Sequence, residues 1–168
     1  MEHADLLLGL LEASIGLAGF TAIVLVLAGR DAGSGQVKTT LVRGAFSTAM
    51  GVAFSCLMPL AVAAAGFQAS FLWQLSSGLM LPSFLIFGGY EIRSWVRLHR
   101  SGRIRADGRT FIGWAFFGIP ILIHVANALA ISNPASFEAY YLATVLLAMG
   151  AGLQFMFLLF HFLGRRTD

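Results

Sequence analysis

Asp5–Ala28 reads DLLLGLLEASIGLAGFTAIVLVLA. It is long enough to cross a bilayer, which takes roughly 20 apolar residues, and it holds one carboxylate, Glu12, inside an otherwise apolar run. Helical spacing places residues three and four apart on one face, so Gly9, Glu12, Gly16 and Gly19 share a stripe. Small residues on a stripe let a second helix approach closely, and the expectation is that Glu12 faces protein and not lipid.

The rest of the chain agrees with a membrane setting. Of 168 residues, 58% are hydrophobic and 11% charged, and the mean hydropathy is +0.80. Soluble domains carry about 25% charged residues, so this chain lacks the charge to cover a water-facing surface. The expected fold is all-α, a polytopic bundle of five transmembrane helices in one domain over 1–168. The predicted spans are 6–28, 44–65, 70–90, 111–131 and 138–162. The start, MEHAD, is acidic and has no basic n-region, and no A-x-A site follows the first run, so that run is read as a retained span. The lone cysteine, Cys56, excludes an intramolecular disulfide.

Charge sets the expected orientation. All eleven Lys and Arg residues fall in or beside the first loop, the third loop and the tail, together with Asp31, Glu91, Asp107 and Asp168. The N-terminus, the second loop and the fourth loop carry no base. The positive-inside rule then puts the N-terminus outside and the C-terminus in the cytoplasm, with a bacterial plasma (inner) membrane as the expected location. The pI of about 9.6 is on this reading a sign of topology and not of nucleic-acid binding. Arg93, Arg97, Arg100, Arg103, Arg105 and Arg109 form the densest basic stretch. It is expected to anchor to anionic headgroups, worth about 1 kcal/mol per residue, or to dock a cytoplasmic protein. Tyr90 and Trp95 at the inner edge, and Tyr140 and Tyr141 at the outer edge, are expected as interfacial anchors.

Polar residues inside spans are costly and therefore informative. Span four, FIGWAFFGIPILIHVANALAI, places Gly113, Phe117, Pro120, His124 and Asn127 on one face. At ~1.5 Å per residue, His124 lies about 11 Å and Glu12 about 10 Å below the outer boundary, so a proton-sharing Glu12–His124 pair is the sharpest expectation. Histidine titrates near neutrality, at about 6.5. The plainer readings are that Glu12 reaches up to the headgroups or ties helices together, and that His124 and Asn127 hydrogen-bond neighbouring helices. Ser70, Gln74 and Ser77 add polar groups to the outer half of span three; Gln154 and His161 do so in the inner half of span five. Pro59, Pro82 and Pro120 each remove a backbone donor within a span. Gly44, Thr48, Gly51 and Ser55 give span two a small-residue face. With 19 glycines, packing between subunits as a homo-oligomer is expected.

No Walker, H-E-x-x-H, C-x-x-C or G-x-S-x-G motif is present. The expectation is accordingly no enzyme and no cofactor. Two functions follow. The first is a channel or transporter for protons or a small solute, built on Glu12, His124, Asn127, Gln74, Ser77 and Gln154. The second is a membrane-embedded interaction or effector subunit, with a basic inner face for a partner and polar residues that serve packing alone.

Overall fold

The computed structural model describes residues 3–28, 35–102, 108–131 and 134–163. Five helices follow one another: α1 (Ala4–Ala28), α2 (Gly35–Ala64), α3 (Ala69–Arg100), α4 (Gly108–Leu129) and α5 (Phe137–Leu163). Each contains a stretch long and apolar enough to cross a membrane. The spans expected from sequence all coincide with helices. The main difference is at the ends: α2 begins nine residues before the expected span and α3 runs ten residues beyond its own. Glu91, read from sequence as part of the third loop, therefore lies within α3.

Consecutive helices run antiparallel around α2 and α5. Helix α5 packs on α4, on α2 and to a lesser extent on α1; α1 leans mainly on α2 and touches neither α3 nor α4. The central cluster joins Leu7, Val52, Cys56, Met80, Phe84, Tyr140 and Leu147. The expected small-residue face of α2 is where α5 sits. Leu147 would touch a Cβ added at Gly51, at 3.7 Å, and Ser55 Oγ is 3.0 Å from Thr144 Oγ1.

Two helix ends show why the turns are tight. After α2, Gly66 adopts φ +90; its N–H donates to Ala63 O, and the N–H of Phe67 donates to Val62 O. This pair of bonds satisfies the last carbonyls of the helix, and glycine takes the left-handed position without strain. After α4, Ala130 takes the same role at φ 48, with Ala130 N–H bound to Asn127 O and Ile131 N–H to Ala126 O. Here a Cβ is tolerated where glycine is usual.

Prolines inside α2 and α4 each free a carbonyl four residues earlier, and α5 meets both. Pro59 leaves Ser55 O without its helical donor. The buried Tyr140 hydroxyl donates to that oxygen at 2.7 Å. Ser55 Oγ in turn pairs with Thr144 Oγ1, which donates to Tyr140 O at 3.0 Å, so the hydroxyls close on one another. Pro120 leaves Phe116 O free. At that level Gly150 lets α5 come so close that an added Cβ would stand 3.4 Å from Phe116 O and 3.0 Å from Phe116 Cβ. Tyr140, expected at a membrane edge, is instead fully buried, because its hydroxyl has a carbonyl to satisfy deep in the bundle.

Tyr140→Phe should therefore cost about 1 kcal/mol of stability, the usual scale for a buried interhelical bond, measured by denaturant unfolding in detergent. In a Pro59→Ala background, where residue 59 again donates to Ser55 O, the same change should cost less. An equal cost in both backgrounds would contradict the pairing.

Candidate functional site

Inside the bundle, α3, α4 and the start of α5 enclose a polar cluster. Its first layer serves the helix ends. Gln74 Nε2 donates to Ala128 O at 2.9 Å, one of the last carbonyls of α4, which have no helical donor. Asn127 Oδ1 accepts from Ser136 N–H at 2.9 Å, and its Nδ2 donates to Ser77 Oγ at 2.9 Å and to Ser136 O at 3.3 Å. Ser136 Oγ then accepts from Ala139 N–H, capping α5. Gln74 and Asn127 thus hold the α4–α5 connection against α3, a structural duty that accounts for their polar atoms.

His124 is different. Its side chain is fully buried. Nδ1 lies 3.4 Å from Ser77 Oγ. Ser77 Oγ accepts from Asn127, and either its own proton or that of Nδ1 bridges it to the His124 ring, according to the tautomer. Nε2 is buried with no hydrogen-bond partner among the described residues. The ring is surrounded by aromatic groups, 4.9 Å from Tyr140 and 5.5 Å from Phe84 between centroids. An unsatisfied ring nitrogen in such surroundings costs about 1–3 kcal/mol, and no packing role explains it.

Along α3 the buried face continues from Ser77 through Met80, Phe84 and Gly88 to Glu91, a rise of about 21 Å. Phe84 meets Phe117 of α4 edge to face at 6.0 Å. The Phe117 ring lies over Gly88, where an added Cβ would stand 2.7 Å from it. Met80, Phe84 and Phe117 form an apolar constriction below His124, and they also line a small cavity of about 20 Å³ whose walls are mostly apolar and which Ser47, Thr48, Ser83 and Glu91 border.

The structure brings together four of the six residues expected to form one polar site: His124, Asn127, Gln74 and Ser77. Gln154 lies apart, towards the other end, where it accepts from Thr48 Oγ1 at 3.1 Å. Glu12 does not join either group. It is exposed on the outer face of α1, and α1 makes no contact with α4, so the expected Glu12–His124 pair does not form within the chain. Gly9, Gly16 and Gly19 share that exposed face, with nothing within 4 Å of an added Cβ; α1 instead buries Leu7, Ser14, Ala18 and Thr21. Both stripes are rich in small residues, and periodicity alone does not choose between them. Arg93, Arg97 and Arg100 are exposed on the end of α3. Arg103 and Arg105 lie outside the described residues, as do the side chains of Arg109 and His161. Sequence reasoning missed Glu91 and Tyr140. The signal for Tyr140 was the proline at 59; for Glu91 it was its place directly after the apolar run of α3.

Among the described residues the fold is all-helical, with five helices long and apolar enough to cross a membrane, enclosing a buried histidine whose Nε2 has no hydrogen-bond partner there. Comparisons with protein families, with curated proteins and with solved structures found no match to this chain.

Removing Asn127 strands Ser136 N–H and loosens Ser77, whereas removing Gln74 frees one carbonyl at a helix end. Asn127→Ala should cost about 2–3 kcal/mol and Gln74→Ala about 1 kcal/mol, read from thermal or denaturant unfolding. Equal losses would contradict this division.

Proposed function

We propose that the protein is a small multi-pass channel or transporter that moves protons or a small solute, with His124 as the polar group on its path. One observation carries the reading: among the described residues His124 Nε2 is buried with no hydrogen-bond partner, whereas Asn127 and the Gln74 amide nitrogen hold helix ends. Buried ionisable residues in membrane spans mark ion and proton pathways more often than idle positions. On this reading the N-terminus lies outside and the C-terminus in the cytoplasm of a bacterial plasma membrane, because the basic residues gather at the end of the bundle where α3 stops. The apolar constriction of Met80, Phe84 and Phe117 is the barrier the moved species must pass, and its aromatic side chains are the gate.

A second reading rests on the exposed Gly9, Glu12, Gly16 and Gly19 stripe. A carboxylate on the lipid-facing side of a span is costly unless another helix covers it, and this favours an interaction subunit or a homo-oligomer assembled through α1, with Arg93, Arg97 and Arg100 facing anionic headgroups or a cytoplasmic partner.

The test is dissipation of a proton gradient in proteoliposomes. The wild type should conduct, His124→Phe should lower the rate at least about tenfold, the scale of losing one proton-transfer group, and Glu12→Gln should leave the rate unchanged. No flux in the wild type between about pH 5 and 8, the range in which histidine changes charge, would overturn the reading. Flux that survives in His124→Phe would do the same. Loss of oligomer mass in Glu12→Gln would establish the role of the α1 stripe.

A further inference from the structure

A groove opens on the outside of the bundle between α2 and α3. It holds about 430 Å³, and its walls are Arg43 and Ser47 of α2 with Ile86 and Tyr90 of α3. Ile86 is 68% and Tyr90 50% exposed, so the groove faces what surrounds the helices. Its level follows from the apolar stretches. That of α2 begins at Val42 and that of α3 at Ser70. A hydrocarbon core of roughly 30 Å takes about 20 helical residues, and counted from Ser70 these end at Tyr90. Arg43 and Tyr90, which touch each other, therefore stand where hydrocarbon gives way to headgroups.

Along both helices the side chains on this face change character in the same order. On α3 the spacing of three and four puts Ile86, Tyr90 and Arg93 on one face: apolar, then amphipathic, then cationic. On α2, which runs the other way, Phe54, Ser47 and Arg43 repeat that order. Phe54 and Ser47 also border the small cavity beside the groove, whose walls are mostly apolar. The groove is thus apolar at its deep end, hydroxylated in the middle and basic at its edge. A phospholipid has the same order: acyl chains, glycerol esters, phosphate.

The guanidinium of Arg43 donates to the Tyr90 hydroxyl and lies over the Tyr90 ring, 5.2 Å from its centroid. A guanidinium carries five N–H donors, so Tyr90 fixes its position and leaves an edge that can meet a phosphate with two parallel bonds. The charge of Arg43 also reaches Glu91, whose carboxylate turns to the buried Gly44 and does not line the groove. On these faces Arg43, Arg93 and Arg97 stand against the one carboxylate of Glu91, so the surplus is positive. Basic pockets between membrane helices at headgroup level bind anionic lipid headgroups. We propose that this groove binds one anionic phospholipid of the leaflet in which α3 ends. Its phosphate lies at Arg43 and Arg93, its glycerol esters accept from the Tyr90 and Ser47 hydroxyls, and one acyl chain runs over Ile86 towards Phe54. A soluble anion would leave the apolar end of the groove uncovered. The site depends on the membrane setting of the bundle and not on transport.

The test is native mass spectrometry of the full chain released from detergent micelles, titrated with phosphatidylglycerol or with phosphatidylcholine. The wild type should bind one phosphatidylglycerol at least about fivefold more tightly than phosphatidylcholine, the scale of one basic residue acting on an anionic headgroup. Arg43→Gln should remove that preference. Arg100→Gln, which lies about 15 Å along α3 beyond Tyr90, should leave it unchanged. Ser47→Leu fills the groove without altering charge and should weaken phosphatidylglycerol binding at least about fivefold; it decides the matter if Arg43→Gln fails to fold. Inorganic phosphate should not compete. No preference in the wild type overturns the site. Equal losses in Arg43→Gln and Arg100→Gln reduce it to surface charge and overturn it, as does phosphatidylglycerol binding that is unchanged in Ser47→Leu. Competition by inorganic phosphate makes it an anion site and overturns the lipid. One bound phosphatidylglycerol in a protein that shows no flux refutes the transport reading and leaves this site standing.

Discussion

The structure depends on one constraint: in apolar surroundings every backbone carbonyl and N–H needs a partner from the protein itself. Most find it within their own helix. Hydroxyls inside the bundle add to this by bonding back along the chain, as Thr21 does to Leu17 O and Ser76 to Leu72 O. Among the exceptions are the carbonyls that Pro59 and Pro120 release and those at the end of α4. Tyr140 satisfies the first, Gly150 allows α5 to approach the second closely, and Gln74 meets one of the third. Helix α5 thus answers the carbonyl that Pro59 releases, and α3 answers one at the end of α4.

Against that background the unanswered atoms stand out. In a bundle that pairs so many of its polar groups, His124 Nε2 and Glu91 Oε1 have no hydrogen-bond partner among the described residues. His124 of α4, against Ser77, and Glu91 stand at the two ends of one face of α3, with Met80, Phe84 and the Phe117 ring between them. A purely structural bundle gains nothing from either atom, since an apolar residue of similar volume would pack at least as well. A pathway needs polar groups on both sides of a barrier, and its barrier needs to be narrow and apolar. Gly88 makes that narrowness possible, because any side chain there would displace Phe117.

Much of the fold was legible in the sequence. Five apolar runs separated by short polar segments leave few alternatives in lipid, and the prolines and glycines pointed to where helices come close. Part of the site was legible too: His124, Asn127, Gln74 and Ser77 share faces by spacing, and those faces meet. The partner of His124 was not legible. Glu12 and His124 match in depth, but depth says nothing of which helices touch, and α1 packs away from α4. Nor does an apolar helix reveal which side it buries, since lipid and protein accept the same residues; the stripe with Glu12 and the stripe with Leu7, Ser14, Ala18 and Thr21 read alike. Glu91 was hidden for the opposite reason. Arginines follow it in sequence, at 93, 97 and 100, so it was read with the loop, although helix α3 carries it back against Gly44.

If His124 is the polar group on the proposed path, water reaches it inside the bundle while the constriction below it stays dry. The most direct measurement is solid-state nuclear magnetic resonance of the protein in bilayers, with magnetisation transferred from water to side chains. The account predicts early transfer to the His124 ring nitrogen and little transfer to Met80 and Phe84. A His124 signal as slow to receive water magnetisation as those of Met80 and Phe84 would contradict it, and would make the polar cluster a clasp between helices.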